Sequence, residues 1–359
     1  MSKQDEKTRA RKLKRESFWR ITVRRFLRSK LGMVGLAIAI AMLLVGFFAP
    51  IIANDRPIVC RFQGEIFAPG VVELFDRVPI VGWLVSQSYP FDQATFDFHR
   101  DYPRQKEDGD WALMPPIPYH PLATTSEVLE KPSAKHWLGT DQVGRDLASR
   151  MIYGARISML VGFVSMSVAT VIGLILGSLA GYFGGWVDVI ISRFIEVVIC
   201  FPVFFLILLL IAVLDEPSIW LVMAVIGAVS WTNIARYIRG EFIRLRDSEF
   251  AMAAKALGAG HGRIIFRHLL PNSLAPVFVT VTFGIASAII AEAALSWLGV
   301  GVRPPAPSWG NILQQAYGNM QTTPHMLFPP CVAIFFAVLS YNLIGDTLRD
   351  AVDPRVSKS

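Results

Sequence analysis

The chain has 359 residues, 53% of them apolar and 18% charged, with a formal charge of +7 and a mean hydropathy of +0.45. The charges stand between long uncharged runs, which excludes a disordered chain and an ordinary cytosolic enzyme and leaves a polytopic membrane protein. Three cysteines, Cys60, Cys200 and Cys331, supply neither a disulfide framework nor a zinc cluster.

Residues 1–30 carry twelve Lys/Arg against three acids, so the positive-inside rule places the N-terminus in the cytoplasm. Within this basic arm Trp19, Val23, Phe26 and Leu27 share one helical face and Arg20, Arg24 and Arg28 another. The pattern predicts an amphipathic helix on anionic lipid rather than a nucleic-acid-binding tail. A bilayer core of roughly 30 Å takes about 20 apolar helical residues to cross. Six stretches qualify: 31–52, 157–187, 197–214, 217–235, 269–291 and 326–345. With the N-terminus inside, 53–156, 215–217 and 303–325 fall outside, and 182–188, 236–268 and 346–359 fall inside, including the C-terminus. Seven Lys/Arg against three acids in 236–268 agree with that orientation.

The chain therefore divides into a basic arm (1–30), a first span (31–53), an extracytoplasmic insertion (54–137), an external interfacial helix (138–156), spans two to six (157–348) with a cytoplasmic loop at 236–273, and a tail (349–359). The insertion is rich in proline and reads either as a small subdomain or as a docking lid. In the next segment Asp141 is expected to open a helix on which Val143, Leu147 and Met151 share a face. Asp141, Arg145 and Asp146 are either its capping and interfacial residues or an outer gate. Gly173, Gly177 and Gly181 make a small-residue stripe on span two, suited to close packing within the chain or to a seam with a partner. Pro202 is expected to kink span three, and Arg193 and Glu196 to pair at i,i+3. Glu292, late in span five, either lines a translocation path or hydrogen-bonds neighbouring groups.

No catalytic constellation is encoded. The six histidines form no metal pair, and there is no nucleophile elbow and no phosphate-cradling loop. Energy for uphill work must come from a partner or an ion gradient. The most distinctive stretch lies in the largest cytoplasmic loop. Asp247 or Ser248 can cap a helix whose first turn holds Glu249. Phe250, Ala251, Met252, Ala253 and Ala254 continue it with little bulk, and it ends past Leu257 at Gly258, a natural C′ residue. A second helix then leads through Pro271 into span five. This short element is shaped either to enter a groove of another protein or to pack as a plain hairpin on its own spans.

Ala253, Ala254 and Gly258, followed by His268, Leu270 and Pro271, resemble the "EAA" loop of permease subunits of ABC importers. Met252 stands where that pattern has glutamate, and His268 where it has isoleucine. Residues 138–156, 292–310 and 342–355 add three stretches similar to the peptide/nickel (dipeptide and oligopeptide) branch, and the long insertion resembles its Yej-type subgroup, which handles microcin C and oligopeptides. The resemblance implies an all-α polytopic fold with the six transmembrane helices of a type I ABC importer permease. It implies a second homologous permease, two ATP-binding cassette ATPases that hold ATP and Mg, and a periplasmic or lipid-anchored binding protein that delivers a peptide. This chain would bind no cofactor, metal or nucleic acid, would touch membrane lipid in a bacterial inner membrane, and would present 248–258 to an ATPase as a coupling helix. A carrier or channel working without an ATPase is the competing expectation; it would show internal repeats and midplane ionisable groups.

Overall fold

The computed structural model describes residues 18–62, 64–75, 98, 101–102, 109–213 and 218–352. The start of the basic arm, most of 76–108 and the end of the tail lie outside these.

A short helix α1 (Phe18–Arg28) precedes α2 (Lys30–Phe47), whose N-cap Ser29 accepts a hydrogen bond from the Gly32 N–H. Phe26 and Thr22 of α1 are buried, while Val23 and Leu27 are exposed, so the expected apolar face is divided between protein and surroundings. Pro50 interrupts the first span near its end, and the chain resumes as the single turn α3 (Ala49–Ile52). Strands β1 (Val59–Phe62) and β2 (Glu65–Phe67), helix α4 (Pro69–Phe75) and strand β3 (Trp111–Leu113) follow. The strands form an antiparallel sheet in the order β2-β1-β3 over a small core of Cys60, Phe62, Phe67, Phe98 and Tyr102. The chain is mostly helical, as expected, and the insertion adds a small sheet with its own core. Cys60 is fully buried, and burial together with Asp110 pushes its thiol up to about 11, which makes it an inert filler.

The membrane portion contains α5 (Leu147–Phe183), α6 (Gly185–Cys200), α7 (Val203–Ala212), α8 (Ile219–Arg246), the short α9 (Glu249–Ala256), α10 (Leu270–Trp297), α11 (Trp309–Gly318) and α12 (Phe328–Val352). Among the described residues five helices are long and apolar enough to cross a bilayer. The pair α6–α7 is bent by 85° at Phe201-Pro202 and makes a sixth crossing if counted as one span. Pro202 carries no N–H, so the ladder stops there. Several helices outrun the apolar windows. A charged residue ends hydrophobic contact with lipid but not helical hydrogen bonding, so α8 continues ten residues beyond Arg236.

Helices α5 and α8 lie side by side at close range. A Cβ on Gly173 would stand 2.7 Å from Ile234, on Gly177 2.5 Å from the Ala235 carbonyl oxygen, and on Gly181 2.6 Å from that of Arg239. The glycine stripe faces this chain's own α8, and backbone contact at such range is possible only without side chains. Around this pair the main core gathers Met159, Trp231, Ile238, Phe242 and Ile289, with α12 covering α2 and α10. Large apolar residues such as Ile175, Trp186, Ile190, Phe205 and Phe335 face outward, as lipid contact demands.

Candidate functional site: a coupling knob and an open cleft

Helix α9 hangs below the α5–α8 pair. Ser248 occupies the N-cap position, but its hydroxyl donates back to the Leu245 carbonyl instead of accepting from α9. The other end is a complete Schellman motif. Gly258 has φ +77°, its N–H donates to the Lys255 carbonyl, and the Ala259 N–H reaches the Ala254 carbonyl, both at 3.0 Å. Ala251 and Ala254 turn inward onto the core with Leu245, Ile264 and Ile265. Phe250, Met252 and Leu257 face outward, at 41%, 54% and 88% exposure, with Glu249 and Ala253 also on the surface.

The knob is held by more than its linkers. Tyr182, at the end of α5, has its hydroxyl 2.8 Å from His261 Nδ1, and Arg246 donates to the Gly181 carbonyl at 3.3 Å. Arg239 of α8 makes a two-pronged pair with Asp188 of α6. Beyond the turn, residues Ile264–Leu269 form a π-helix before α10. Pro271 cannot donate an N–H and its ring crowds the carbonyl four residues back; one widened turn accommodates it.

Beside the knob, α8, α10 and α12 line a half-open cleft of about 1020 Å³. Its α8 wall carries Ser230, Asn233, Tyr237, Glu241 and Arg244, and its α10 wall Asn272, Pro276, Thr280, Phe283 and Ser287. The charged groups, including Arg349, concentrate at the α9 end. Arg236 donates to Asn233 at 2.8 Å and Arg244 to Glu241 at 2.6 Å, which fixes part of the polar lining. None of these residues was singled out from sequence, although Ser230, Asn233, Tyr237, Glu241 and Arg244 recur every three or four positions and so mark one helical face.

At the far end the other singled-out residues meet in the interior. Asp141 does not open a helix. Gly144 at φ +76° breaks the backbone, and α5 starts at Leu147 with Asp146 as its N-cap, accepting from the Ser149 N–H at 2.7 Å. The Asp141 carboxylate accepts from the Val143 and Arg145 N–H groups, from Arg145 Nε at 2.8 Å and from Arg150. Arg150 also donates to Gln315 of α11 at 2.7 Å. Glu292 is fully buried and accepts from Ser296 at 2.6 Å, with Ser158 at 3.5 Å, and Ser158 in turn accepts from the Trp309 N–H. Asp141, Arg145, Asp146 and Glu292 are thus braces inside the chain. Each is buried and bonded within the chain, as a charge taken from water requires.

Burial raises the Asp141 carboxyl, but the Arg145 N–H, the Arg150 charge, the Val143 N–H and the Arg145 charge outweigh it and hold the group below the ordinary aspartate range. With the folded value below the unfolded one, Asp141 contributes stability that is present above the ordinary aspartate pKa of about 3.9 and disappears as pH falls through the lowered value. Replacing Arg150 by methionine should cost about 3 kcal/mol by leaving Asp141 partly uncompensated. A lowered thermal midpoint in detergent, recovered in part when Asp141 is also changed to asparagine, is the expected measurement.

The protein-family model described as "Binding-protein-dependent transport system inner membrane component" matches residues 173–358, and that of the "N-terminal TM domain of oligopeptide transport permease C" matches 17–62. The chain is similar to the dipeptide transport system permease protein DppC of Alkalihalophilus pseudofirmus, 43% identical over 246 residues that cover 66% of this chain and 81% of that protein. It is similar to the oligopeptide transport system permease protein OppC of Haemophilus influenzae, 36% identical over 71% of this chain and 78% of that protein. The peptidoglycan transport system permease protein YejE of Agrobacterium fabrum is 31% identical over 339 residues, covering 87% of this chain and 86% of that protein. Without residues 54–137 the chain retains only about three quarters of its length, so the YejE alignment necessarily enters the insertion. The family match, spanning the core helices, the knob and the cleft, assigns the chain: it belongs to the inner membrane components of binding-protein-dependent transport systems, a multi-pass permease of the peptide ABC importer kind.

Proposed function

We propose that this chain is one half of the translocation path of an ATP-driven peptide importer, completed by a second homologous permease, with α9 seated in a groove of one of two ATPases. ATP and Mg are held by those ATPases, and a periplasmic or lipid-anchored binding protein delivers the peptide. The observation that carries the reading is the placement of the cleft. Its α8 wall reaches Arg244, just before the α9 cap Ser248, so the wall-forming α8 and the docking knob are consecutive parts of one chain. A peptide backbone needs hydrogen-bonding groups along an otherwise apolar passage, and Ser230, Asn233, Thr280 and Ser287 offer them. The open side of the cleft is where the second permease would stand.

Both termini are assigned to the cytoplasm on the basic arm and the 236–268 charges, which makes this an inward-facing form. Val23 and Leu27 with the arginines of α1 would rest on anionic lipid. The similarity to YejE within the insertion favours the Yej-type subgroup, and hence longer or peptidoglycan-derived peptides. The competing reading, a carrier or channel without an ATPase, loses its ground with the family assignment.

Thiol access tests the cleft. In an assembled importer with Cys60, Cys200 and Cys331 replaced, Ser287→Cys and Asn233→Cys are expected to react with an impermeant maleimide from the α9 side. Labelling should fall severalfold when ATP is trapped in the ATPases. Labelling that is indifferent to nucleotide, or that comes only from the opposite side, would remove the cleft from the path.

A further inference from the structure

Residues 127–146 fold back over the start of α5 and enclose His136, whose side chain is wholly buried. Its Nδ1 lies 2.8 Å from Asp146 Oδ2, while the other oxygen of Asp146 caps α5. A carboxylate there only accepts, so Nδ1 donates to it and Nε2 is the ring nitrogen left to face Glu127 and Glu130. Among the described residues Nε2 has no hydrogen-bond partner, and the same holds for Glu130 Oε2. Two buried polar atoms left unpaired side by side are costly and call for a third body between them.

Distances point to what that body is. Nε2 stands 3.4 Å from Glu127 Oε2 and 3.9 Å from Glu130 Oε2, beyond normal hydrogen-bond length. Two ligands of a tetrahedral zinc ion, each bound at about 2.0–2.1 Å, are separated by about 3.3 Å. The ligand atoms of Glu127, Glu130 and His136 all fall within 4.8 Å of one another. We propose that Glu127, Glu130 and His136 form a binding site for a divalent cation of the zinc class, with Asp146 as the outer carboxylate that orients the imidazole.

One imidazole and two carboxylates suit Zn²⁺, whereas Ca²⁺ and Mg²⁺ take oxygen ligands. The Asp146–His136 pair reproduces the carboxylate–histidine–metal arrangement that fixes ring tautomer and raises ligand basicity. The Tyr119 ring, centred 4.5 Å from that of His136, shields one side. Lys135 Nζ, 2.7 Å from both Glu127 oxygens, supplies the positive charge the pair of glutamates needs. That lysine is half exposed, so a divalent ion entering the site displaces it into solvent. Two carboxylates, one neutral imidazole and one Zn²⁺ sum to zero charge, with a water completing four-fold coordination. Through His136 and Asp146 such an ion ties the external loop to the first turn of α5.

The test uses the full chain with its partner subunits, purified without a histidine tag, stripped with a chelator and dialysed against zinc chloride. One zinc per chain is expected by elemental mass spectrometry, with a rise in thermal midpoint, and cobalt substituted for zinc should give the intense visible absorption of a four-coordinate site. Glu127→Gln and Glu130→Gln together should abolish the binding while elution and ATPase association stay unchanged. Asp146→Asn, which keeps the helix cap, should weaken it about 10–100-fold. Absence of retained zinc in the unaltered protein, or equal zinc in the double variant, would overturn the proposal.

Discussion

Replacing Leu257 by aspartate is expected to uncouple the transporter without unfolding this chain. Leu257 is 88% exposed and, with Met252 and Phe250, forms the outward apolar surface of α9. Side chains that anchor an interface cost 2 kcal/mol or more when removed, about a thirtyfold loss of affinity, and a buried unpaired carboxylate adds to that. Recovery of the ATPase with a tagged permease should fall at least tenfold on that basis, and peptide uptake with it. The thermal midpoint of the permease should stay where it was, because Leu257 contributes nothing to its core. Ala254→Leu is the informative contrast. Ala254 is 9% exposed and packs on the core, so its enlargement should lower the midpoint as well as uptake. Full ATPase recovery by the Leu257→Asp variant would remove the outward face of α9 from the docking surface.

Gly177→Leu should prevent the protein from accumulating in the membrane. The first added carbon would meet the Ala235 carbonyl oxygen at 2.5 Å and its Cα at 2.9 Å, both backbone atoms of a helix fixed on several sides. Overpacking that side chains can absorb costs about 1–3 kcal/mol; here two core helices in backbone contact would have to part, so the cost exceeds that range. Gly240 provides the control on α8, since nothing lies within 4 Å of a Cβ built there. Gly240→Ala should leave the midpoint unchanged or raise it, by up to about 1 kcal/mol of helix propensity. Comparing membrane yield and thermal unfolding of the two variants separates a packing defect from a general intolerance of glycine replacement.

What was legible in the sequence was what local pattern specifies. The α9 helix, its glycine stop and the bend at Pro202 each depend on a few consecutive residues, so their signals survive without knowledge of the fold. The cleft escaped notice because it belongs to faces of α8 and α10 brought together only by packing. Spacing marks such a face as polar but does not say what opposes it. Asp141 was misread as a helix start because its two-residue-on turn to Val143 and the positive φ of Gly144 compete with a cap that Asp146 supplies five positions later. The sheet was missed for a related reason. Its strands are three or four residues long, and β1 pairs with β3 across the intervening segment, so no run of alternation announces it. Glu292 gave a visible signal, an ionisable group within a span, but its partner Ser158 comes from α5, and Ser158 is in turn held by the Trp309 N–H of α11.

The glycine seam has a mechanical consequence. With α5 and α8 in backbone contact, a shove on the knob finds no slack between them and must displace both as one beam. Helix α5 alone is 37 residues long, about 55 Å from end to end. Its lower tip is tied to the segments flanking the knob, Tyr182 to His261 and Gly181 to Arg246, and its upper end to the outer segment, Asp146 to His136 and Arg150 to Asp141 and Gln315. On the proposed function, a stroke delivered at one face of the membrane would therefore arrive at the other as tilt, and the bend at Pro202 together with the loop ahead of α11 would take up the difference.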